Sequence, residues 1–216
     1  MPRPSDAVRT VLGTAIKVRD HGLGGAIRSS IDDLAMWADV ERPDLASLAA
    51  DDGSVTILFS DIEDSTTINH DLGDRAWVRL LAKHDRVFDK ALTAHAGHVI
   101  KTQGDGFMVA FAEPAHAVAA AGDIQRRLAK ARSGSLLAGV KVRIGIHKGS
   151  AIQRDGDLFG RNVAYAARVA AQASGGEILI SEAVLRSLPD EVEVIETREA
   201  ELKGVPGIQR LHLVTW

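Results

Sequence analysis

Apolar and polar positions recur with two different periods along the chain, and these periods divide it into two parts. Near the N-terminus, apolar residues recur every three or four positions, which is the spacing of an amphipathic helix. One such stretch precedes the sequence HGLGG at 21–25, and a second follows it as far as the polar segment at 41–54. We therefore predict a helical N-terminal extension and linker over residues 1–50 and a separate domain over residues 51–216.

In the second part, short apolar runs alternate with longer stretches that have helical periodicity. The predicted strands are 55–59, 98–102, 106–111 and 177–181, and the predicted helices are 74–96, 114–132 and 162–173. Gly97 is expected to end the first of these helices in a left-handed cap. The stretch 139–152 predicts a pair of strands broken at Gly149. The order β-α-β-β-α-β, followed by a C-terminal β-ribbon, predicts an α+β fold of the ferredoxin-like or split-βαβ type.

Carboxylates follow the first predicted strand and also lie in the turn between the next two predicted strands. The first strand runs into the sequence SDIED, which contains Asp61, and the short turn QGDG contains Asp105. In a split-βαβ sheet the first strand neighbours this hairpin, so the two aspartates are expected to meet. Paired carboxylates suit two hard divalent cations, Mg²⁺ or Mn²⁺, as used in phosphoryl transfer. Taken singly, Asp105 is an ordinary turn residue and Asp61 an ordinary helix cap, and only the pair favours a metal site.

The residues that follow Asp61 predict the start of a helix. The sequence IEDSTT offers successive backbone N–H groups there, including those of Ser65 and Thr66. Such a helix start binds anions, and a triphosphate is one of the anions that it suits. The alternative is that Ser65 or Thr66 is a plain helix cap.

Composition narrows the class of protein. The formal net charge is −3 and there are no cysteines. This balance does not indicate binding to nucleic acid, and the absence of thiols excludes cysteine ligands and a cysteine nucleophile. No apolar run reaches the roughly 18–20 residues that span a bilayer, so we expect a cytoplasmic chain without a membrane span.

Five stretches in order resemble the catalytic domain of class III adenylyl/guanylyl cyclases. They are VTILFSDIEDST, IKTQGDGFMVAF, VRIGIHKGSAI, DLFGRNVAYAARVAAQASGGEILIS and ELKGVPG, and together they cover about residues 54–215. The resemblance implies that Asp61 and Asp105 are the two metal-binding aspartates and that the carbonyl of Ile62 contributes to one metal. It also implies that Arg168 stabilises charge on the α-phosphate and that Lys203 binds the terminal phosphates.

The same resemblance assigns Lys101 and Asp157 to recognition of the purine. A lysine and an aspartate at these positions resemble the set that selects adenine. Adenine offers N1 as an acceptor and its amino group as a donor, so a lysine donor and a carboxylate acceptor match it, whereas guanine reverses both. The resemblance therefore implies ATP as substrate and cyclic AMP as product.

One position departs from the family pattern. The family asparagine that stands four residues before the arginine is replaced by Ala164, and Asn162 lies two residues earlier. On a helix, Asn162 would point to another face, since facing residues are three or four apart. We therefore expect turnover that is real but low.

The interpretation is an adenylyl cyclase that works with two divalent cations at composite sites of a homodimer, because the resemblance implies that metal and purine residues come from different subunits. Three alternatives stay open: a weak or inactive cyclase-like module that binds nucleotide or dimerises, a guanylyl cyclase, and a diguanylate cyclase. The last lacks its GG[DE]EF signature in this chain.

Overall fold

The computed structural model describes residues 49–50, 53–154, 157–189 and 192–216. The helical extension predicted for residues 1–50 therefore lies outside the described residues except at its last two positions. Within the described ranges, no helix is long and apolar enough to cross a membrane.

Nine strands and five helices are described. In chain order they are β1 Ser54–Ile62, α1 Ser65–Leu72, α2 Asp74–Ala94, β2 His98–Gln103, β3 Gly106–Phe111, α3 Pro114–Ala129, β4 Val142–Ser150, β5 Ile152–Arg154, β6 Asp157–Phe159, α4 Arg161–Ala170, β7 Ile178–Ser181, α5 Glu182–Leu185, β8 Val194–Glu201 and β9 Ile208–Val214.

Seven strands form one sheet in the order β2-β3-β1-β4-β7-β9-β8. Each neighbouring pair among the first four strands is antiparallel, and along the chain α2 connects β1 to β2 and α3 connects β3 to β4. This is the split-βαβ arrangement, so the predicted α+β class is confirmed. Strand β7 joins β4 in parallel, and the predicted C-terminal ribbon β8–β9 extends the sheet through β9. Strands β5 and β6 form a separate small hairpin.

The core lies on both faces of the central strand β1, all nine residues of which are buried. Leu58 and Ile62 pack in the cluster that contains α2 and α3, while Val55, Ile57 and Phe59 pack in the cluster that contains α4. A strand covered on both faces has a nearly continuous apolar sequence, which is the pattern of residues 55–59.

The end of α2 differs from the prediction. The helix stops at Ala94, and the left-handed residue is Ala96, with φ of 53°, rather than Gly97. The N–H of Gly97 donates to the carbonyl of Leu92 at 2.9 Å, the long closing bond of a Schellman-type helix end. Glycine is required at position 97 because there is no room for a side chain, since a Cβ there would lie 2.7 Å from the Phe111 ring.

Strand β4 also differs from the prediction, since Gly149 does not break it. The strand continues through Gly149, which pairs with Val55, as far as Ser150. Two glycines of β4 are instead places where α4 approaches closely. A Cβ at Gly145 would overlap the backbone of Ala170, and one at Gly149 would overlap the side chain of Asn162.

Candidate active site

Asp61 lies within β1, next to its last residue, because β1 continues three residues beyond the predicted end at Phe59. Its cross-strand neighbour is Arg143 of β4. The Arg143 Nε and Nη2 groups donate to the two Asp61 carboxylate oxygens at 2.7 and 2.5 Å. The pair is largely buried, with 3% of the Asp61 side chain and 15% of the Arg143 side chain exposed. This two-point contact is the strong geometry of an arginine–carboxylate pair.

Asp105 lies at the tip of the β2–β3 hairpin, beside the end of β1. Gly104 takes a φ of 58° at the first central position of this two-residue turn. The buried Asp105 carboxylate accepts the backbone N–H of Ile62 at 2.8 Å. The structure thus brings Asp105 to the residue that follows Asp61, as the pairing of β1 with β3 requires.

Negative charge is in excess at this end of the sheet. Asp61, Asp105 and Glu63 interact electrostatically with one another or with Arg143, so three carboxylates surround one guanidinium. Burial raises the pKa of the Asp61 carboxyl, and Asp105 and Glu63 raise it further, against the lowering effect of Arg143. Glu63 also accepts the N–H of Gly175 at 2.6 Å. A cation is the species that would relieve this excess.

The donors at this end fit a hard divalent cation. Two carboxylates and the carbonyl of Ile62 are all oxygen ligands, which Mg²⁺ and Mn²⁺ prefer. Among the described residues, no group of three or more His, Cys, Asp or Glu side chains is arranged to hold a metal. Two aspartates and one carbonyl would leave coordination positions for substrate phosphates and water.

Ser65 and Thr66 occupy the first turn of α1 and are not its caps, so that alternative is wrong. The N-cap is Asp64, in a left-handed conformation with φ of 54°, and no side chain caps the helix. The first backbone N–H groups of a helix have no intrahelical acceptor, and α1 begins directly after the acidic end of β1. The placement leaves these groups suited to an anion beside the carboxylates.

Lys101 and Asp157, the predicted purine-reading pair, are brought into contact. The Lys101 Nζ lies 2.9 Å from an Asp157 oxygen, although the two residues come from β2 and from β6. Both side chains are mostly buried, at 12% and 7% exposed. The second Asp157 oxygen accepts the N–H of Leu158 at 2.8 Å, which fixes the carboxylate.

Arg168 of α4 lies near the loop 202–207 between β8 and β9, which carries Lys203. A Cβ built on Gly204 would lie 3.8 Å from an Arg168 terminal nitrogen. The buried Arg168 Nε has no hydrogen-bond partner within the described part of the chain. Lys203 is exposed and lines a cavity of about 540 Å³ formed by residues 201–205, 207 and 208.

Asn162 does not replace the missing asparagine. Its Nδ2 donates to the Ser150 carbonyl at 2.7 Å, and its Oδ1 lies 3.1 Å from His147 Nε2. These bonds hold the side chain on β4, while Ala164 stands one helical turn before Arg168. The position of the family asparagine is therefore filled by a methyl group.

Sequence reasoning missed Arg143, the direct partner of Asp61. The signal was a charged residue in the VRIGI run of a strand that is otherwise buried, placed where it faces the acidic end of β1. Recognising Arg143 as the partner of Asp61 requires the β1–β4 register, which the sequence alone does not supply.

A split-βαβ sheet that brings Asp61 of its first strand beside Asp105 of the neighbouring hairpin, and Lys101 into contact with Asp157, has the pattern expected of a nucleotide cyclase domain. The chain belongs to the adenylate and guanylate cyclase catalytic domain family, whose model matches residues 49–216.

Named relatives agree with this membership. An uncharacterized protein of Mycobacterium tuberculosis is 31% identical over 160 residues, covering 71% of this chain and 53% of that protein. Putative adenylate cyclase 3 of Rhizobium meliloti is 29% identical over 140 residues, covering 63% of this chain and 24% of the relative. The chain thus spans about half the length, or less, of these relatives. A solved Trypanosoma brucei adenylate cyclase in its monomeric state matches with 27% identity and a TM-score of 0.67, covering 75% of this chain and 89% of the other.

Proposed function

We propose that this chain converts ATP to 3′,5′-cyclic AMP and pyrophosphate, using two divalent cations at composite sites of a homodimer. The family covers both adenylate and guanylate cyclases, so membership alone does not choose the base. The observation that carries the proposal of ATP is the contact of Lys101 with Asp157 at 2.9 Å.

The chemistry of that pair favours adenine. The Lys101 ammonium only donates hydrogen bonds and therefore suits N1 of adenine, while the Asp157 carboxylate only accepts and suits the exocyclic amino group. With guanine, both groups would face a partner of the same kind, and each mismatched buried polar group costs about 1–3 kcal/mol. The fixed position of Asp157 makes this discrimination geometric as well as electrostatic.

Asp61, Asp105 and the Ile62 carbonyl would hold the two cations, Mg²⁺ or Mn²⁺. When bound, such ions lower the pKa of the ribose 3′-hydroxyl and neutralise the charge of the leaving pyrophosphate. A cation at Asp61 would compete with Arg143 for the carboxylate, and the Arg143 guanidinium would then be available to the triphosphate. Without a cation, Arg143 opposes the rise in the pKa of Asp61 that burial causes and so favours the ionised carboxylate.

The remaining residues act on the phosphates. The 3′-oxygen forms a bond to the α-phosphorus, the bond from the α-phosphorus to the bridging oxygen breaks, and the hydroxyl proton leaves to solvent. Arg168 neutralises the charge that develops on the α-phosphate. Lys203 and the N–H groups of Ser65 and Thr66 bind the departing pyrophosphate. Catalysis then rests on positioning and electrostatics.

The base preference is tested by exchanging the purine pair. In a Lys101→Glu/Asp157→Cys variant, the donor and acceptor pattern resembles that of guanylyl cyclases, so we expect the ratio of cyclic AMP to cyclic GMP formation to fall at least tenfold, about 1.4 kcal/mol. Lys90→Ala makes the same net change of charge at an exposed position of α2 and serves as the control. An unchanged ratio in a variant that is folded by circular dichroism would remove the pair from base selection.

A second candidate function is favoured by Ala164. Without the asparagine amide one turn before Arg168, the chain could be a module that binds nucleotide and does not turn it over. Binding of ATP with no release of pyrophosphate in either metal would establish this second function in place of the first.

A further inference from the structure

Helix α4 is tied by hydrogen bonds to the loop 202–207, which carries Lys203. The Tyr165 hydroxyl donates to Gln209 Oε1 at 2.9 Å. Gln209 Nε2 in turn donates to the carbonyls of Pro206 and Gly207 at 2.9 and 3.2 Å. These three bonds fix the orientation of the amide, because its nitrogen faces two carbonyls and its oxygen faces the phenol.

The Tyr165 ring is itself held in place from the sheet. It stacks on His147 of β4, with ring centroids 4.1 Å apart and an interplanar angle of 27°. His147 lies between Ser181, at 2.8 Å from Nδ1, and Asn162, at 3.1 Å from Nε2. Since the Asn162 amide nitrogen is bonded to a carbonyl, its oxygen accepts from His147 Nε2–H, and His147 Nδ1 accepts from the Ser181 hydroxyl. The support of Tyr165 is therefore a buried and directional network.

The loop has a second attachment at its other end. Leu202 is 3% exposed and packs with Val169 of α4 and with Leu211. Between the apolar attachment and the Gln209 bonds lie Lys203 and Gly204, beside Arg168. Gly204 and Gly207 have φ of 73° and 74°, which glycine adopts readily. The Val205 N–H donates to the Leu202 carbonyl at 2.9 Å, so the loop is a turn that is attached at both ends.

We propose that Tyr165 and Gln209 are positioning residues that hold the Lys203 loop against α4, so that Lys203 and Arg168 engage one triphosphate together. This inference rests on the proposed function, in which both cations contact phosphate. Neither Tyr165 nor Gln209 touches the substrate. Their effect on turnover passes through the position of Lys203.

The test uses Tyr165→Phe in the full chain, which removes the hydroxyl and keeps the ring that stacks on His147. We expect the KM for metal–ATP and the inhibition constant for pyrophosphate each to rise about three- to tenfold, the effect of one lost hydrogen bond. The dissociation constant of 3′-deoxy-ATP, which lacks the attacking hydroxyl, should rise by the same factor in calorimetry. In a Lys203→Ala background, Tyr165→Phe should cause no further rise, because the position of a missing side chain has no effect.

Thr197→Val is the matched control. It removes a side-chain hydrogen bond of 3.0 Å to His212 in the same β8–β9 ribbon, away from the loop. We expect it to change thermal stability without changing the KM or the inhibition constant. If Thr197→Val raised these constants as much as Tyr165→Phe does, a general loss of stability would explain both.

The outcomes separate this inference from the proposed function. A wild-type protein that binds neither 3′-deoxy-ATP nor pyrophosphate overturns the proposed function and this inference with it. A wild type that binds both while Tyr165→Phe binds them equally well overturns only the inference. Equal losses from Tyr165→Phe with and without Lys203 would also overturn it.

Discussion

At the scale of single residues, Asp61 combines two requirements that oppose each other. It is buried at the end of β1, and it must be ionised to bind a cation. Arg143 supplies the compensating charge at 2.5–2.7 Å. Asp105 has a different support, since a backbone N–H rather than a charged side chain meets its carboxylate. The two aspartates therefore contribute differently to stability although the same role is proposed for both.

This difference predicts unequal costs of the two amide substitutions. Asp61→Asn removes the carboxylate that pairs directly with the partly buried Arg143 guanidinium, so we expect the free energy of unfolding to fall by about 2 kcal/mol. Asp105→Asn keeps an oxygen for the Ile62 N–H, so its free energy of unfolding should stay within about 1 kcal/mol of wild type. Urea titrations measure both values. Equal losses in the two variants would contradict the described pairing of Asp61 with Arg143.

Ala164 leads to a prediction of gained activity. Ala164→Asn restores an amide on the same face of α4 as Arg168, one turn earlier, where the family asparagine positions the ribose. We expect kcat to rise about tenfold with little change in KM, since the amide improves orientation more than binding. The exposed Ala171→Asn is the control. A kcat that does not change in Ala164→Asn would mean that another group already positions the ribose.

At the scale of elements, the position of α4 depends on the alternate residues Gly145, His147 and Gly149 of β4. The two glycines let the helix approach the strand, and His147 between them is hydrogen-bonded to the helix residue Asn162. From the sequence, Gly149 was interpreted as a break because glycine commonly interrupts strands. Only the tertiary contact with α4 shows why glycine is required there.

His147 predicts how stability depends on pH. Burial lowers the pKa of His147, while its bond to Asn162 opposes that shift. The unfolded chain takes up a proton near pH 6.5 and the folded chain does so only at lower pH, so stability is complete above pH 7 and falls as pH drops below about 6.5. The slope contributed is at most about 1.4 kcal/mol per pH unit.

The measurement is urea unfolding between pH 7.5 and 5.5 for wild type and His147→Gln. The variant should lose most of the slope in this window, whereas the exposed His70→Gln should keep it. The lowered pKa values of Asp123, Glu177 and Glu182 act in the more acidic range. The raised pKa of Asp61 is common to the wild type and both variants, so the difference between them reports on His147. A wild-type stability that is flat over this window would contradict the assignment of His147 as a buried neutral imidazole.

At the scale of the whole molecule, the sequence predicted the sheet and the meeting of β1 with the β2–β3 hairpin. This prediction was possible because the apolar runs are long and the apolar positions of the helices recur regularly. In addition, Asp61 and Asp105 mark the ends of neighbouring elements. Arg143 and the Tyr165–Gln209 bonds were not predictable, because they depend on cross-strand register and on the docking of α4. Those contacts join elements that are distant in sequence, and no local pattern specifies them.

The proposed homodimer predicts complementation between inactive subunits. If the cations are held by one subunit and Arg168 comes from the other, mixing Asp61→Asn with Arg168→Ala creates dimers with one intact site. Random exchange makes half of the dimers mixed, each with one working site of two, so about a quarter of wild-type activity should return. Two inactive proteins that remain inactive after exchange, verified by differently tagged subunits, would contradict shared sites.

The most direct measurement is the formation of cyclic nucleotide and pyrophosphate from ATP and from GTP, with Mg²⁺ and with Mn²⁺, across protein concentration. Wild-type protein is compared with Asp105→Asn, which keeps the Ile62 hydrogen bond and loses the charge. The account predicts cyclic AMP from ATP in preference to cyclic GMP from GTP, specific activity that rises with concentration, and no product from the folded Asp105→Asn variant. No product from wild type under any condition, or undiminished product from Asp105→Asn, would contradict it.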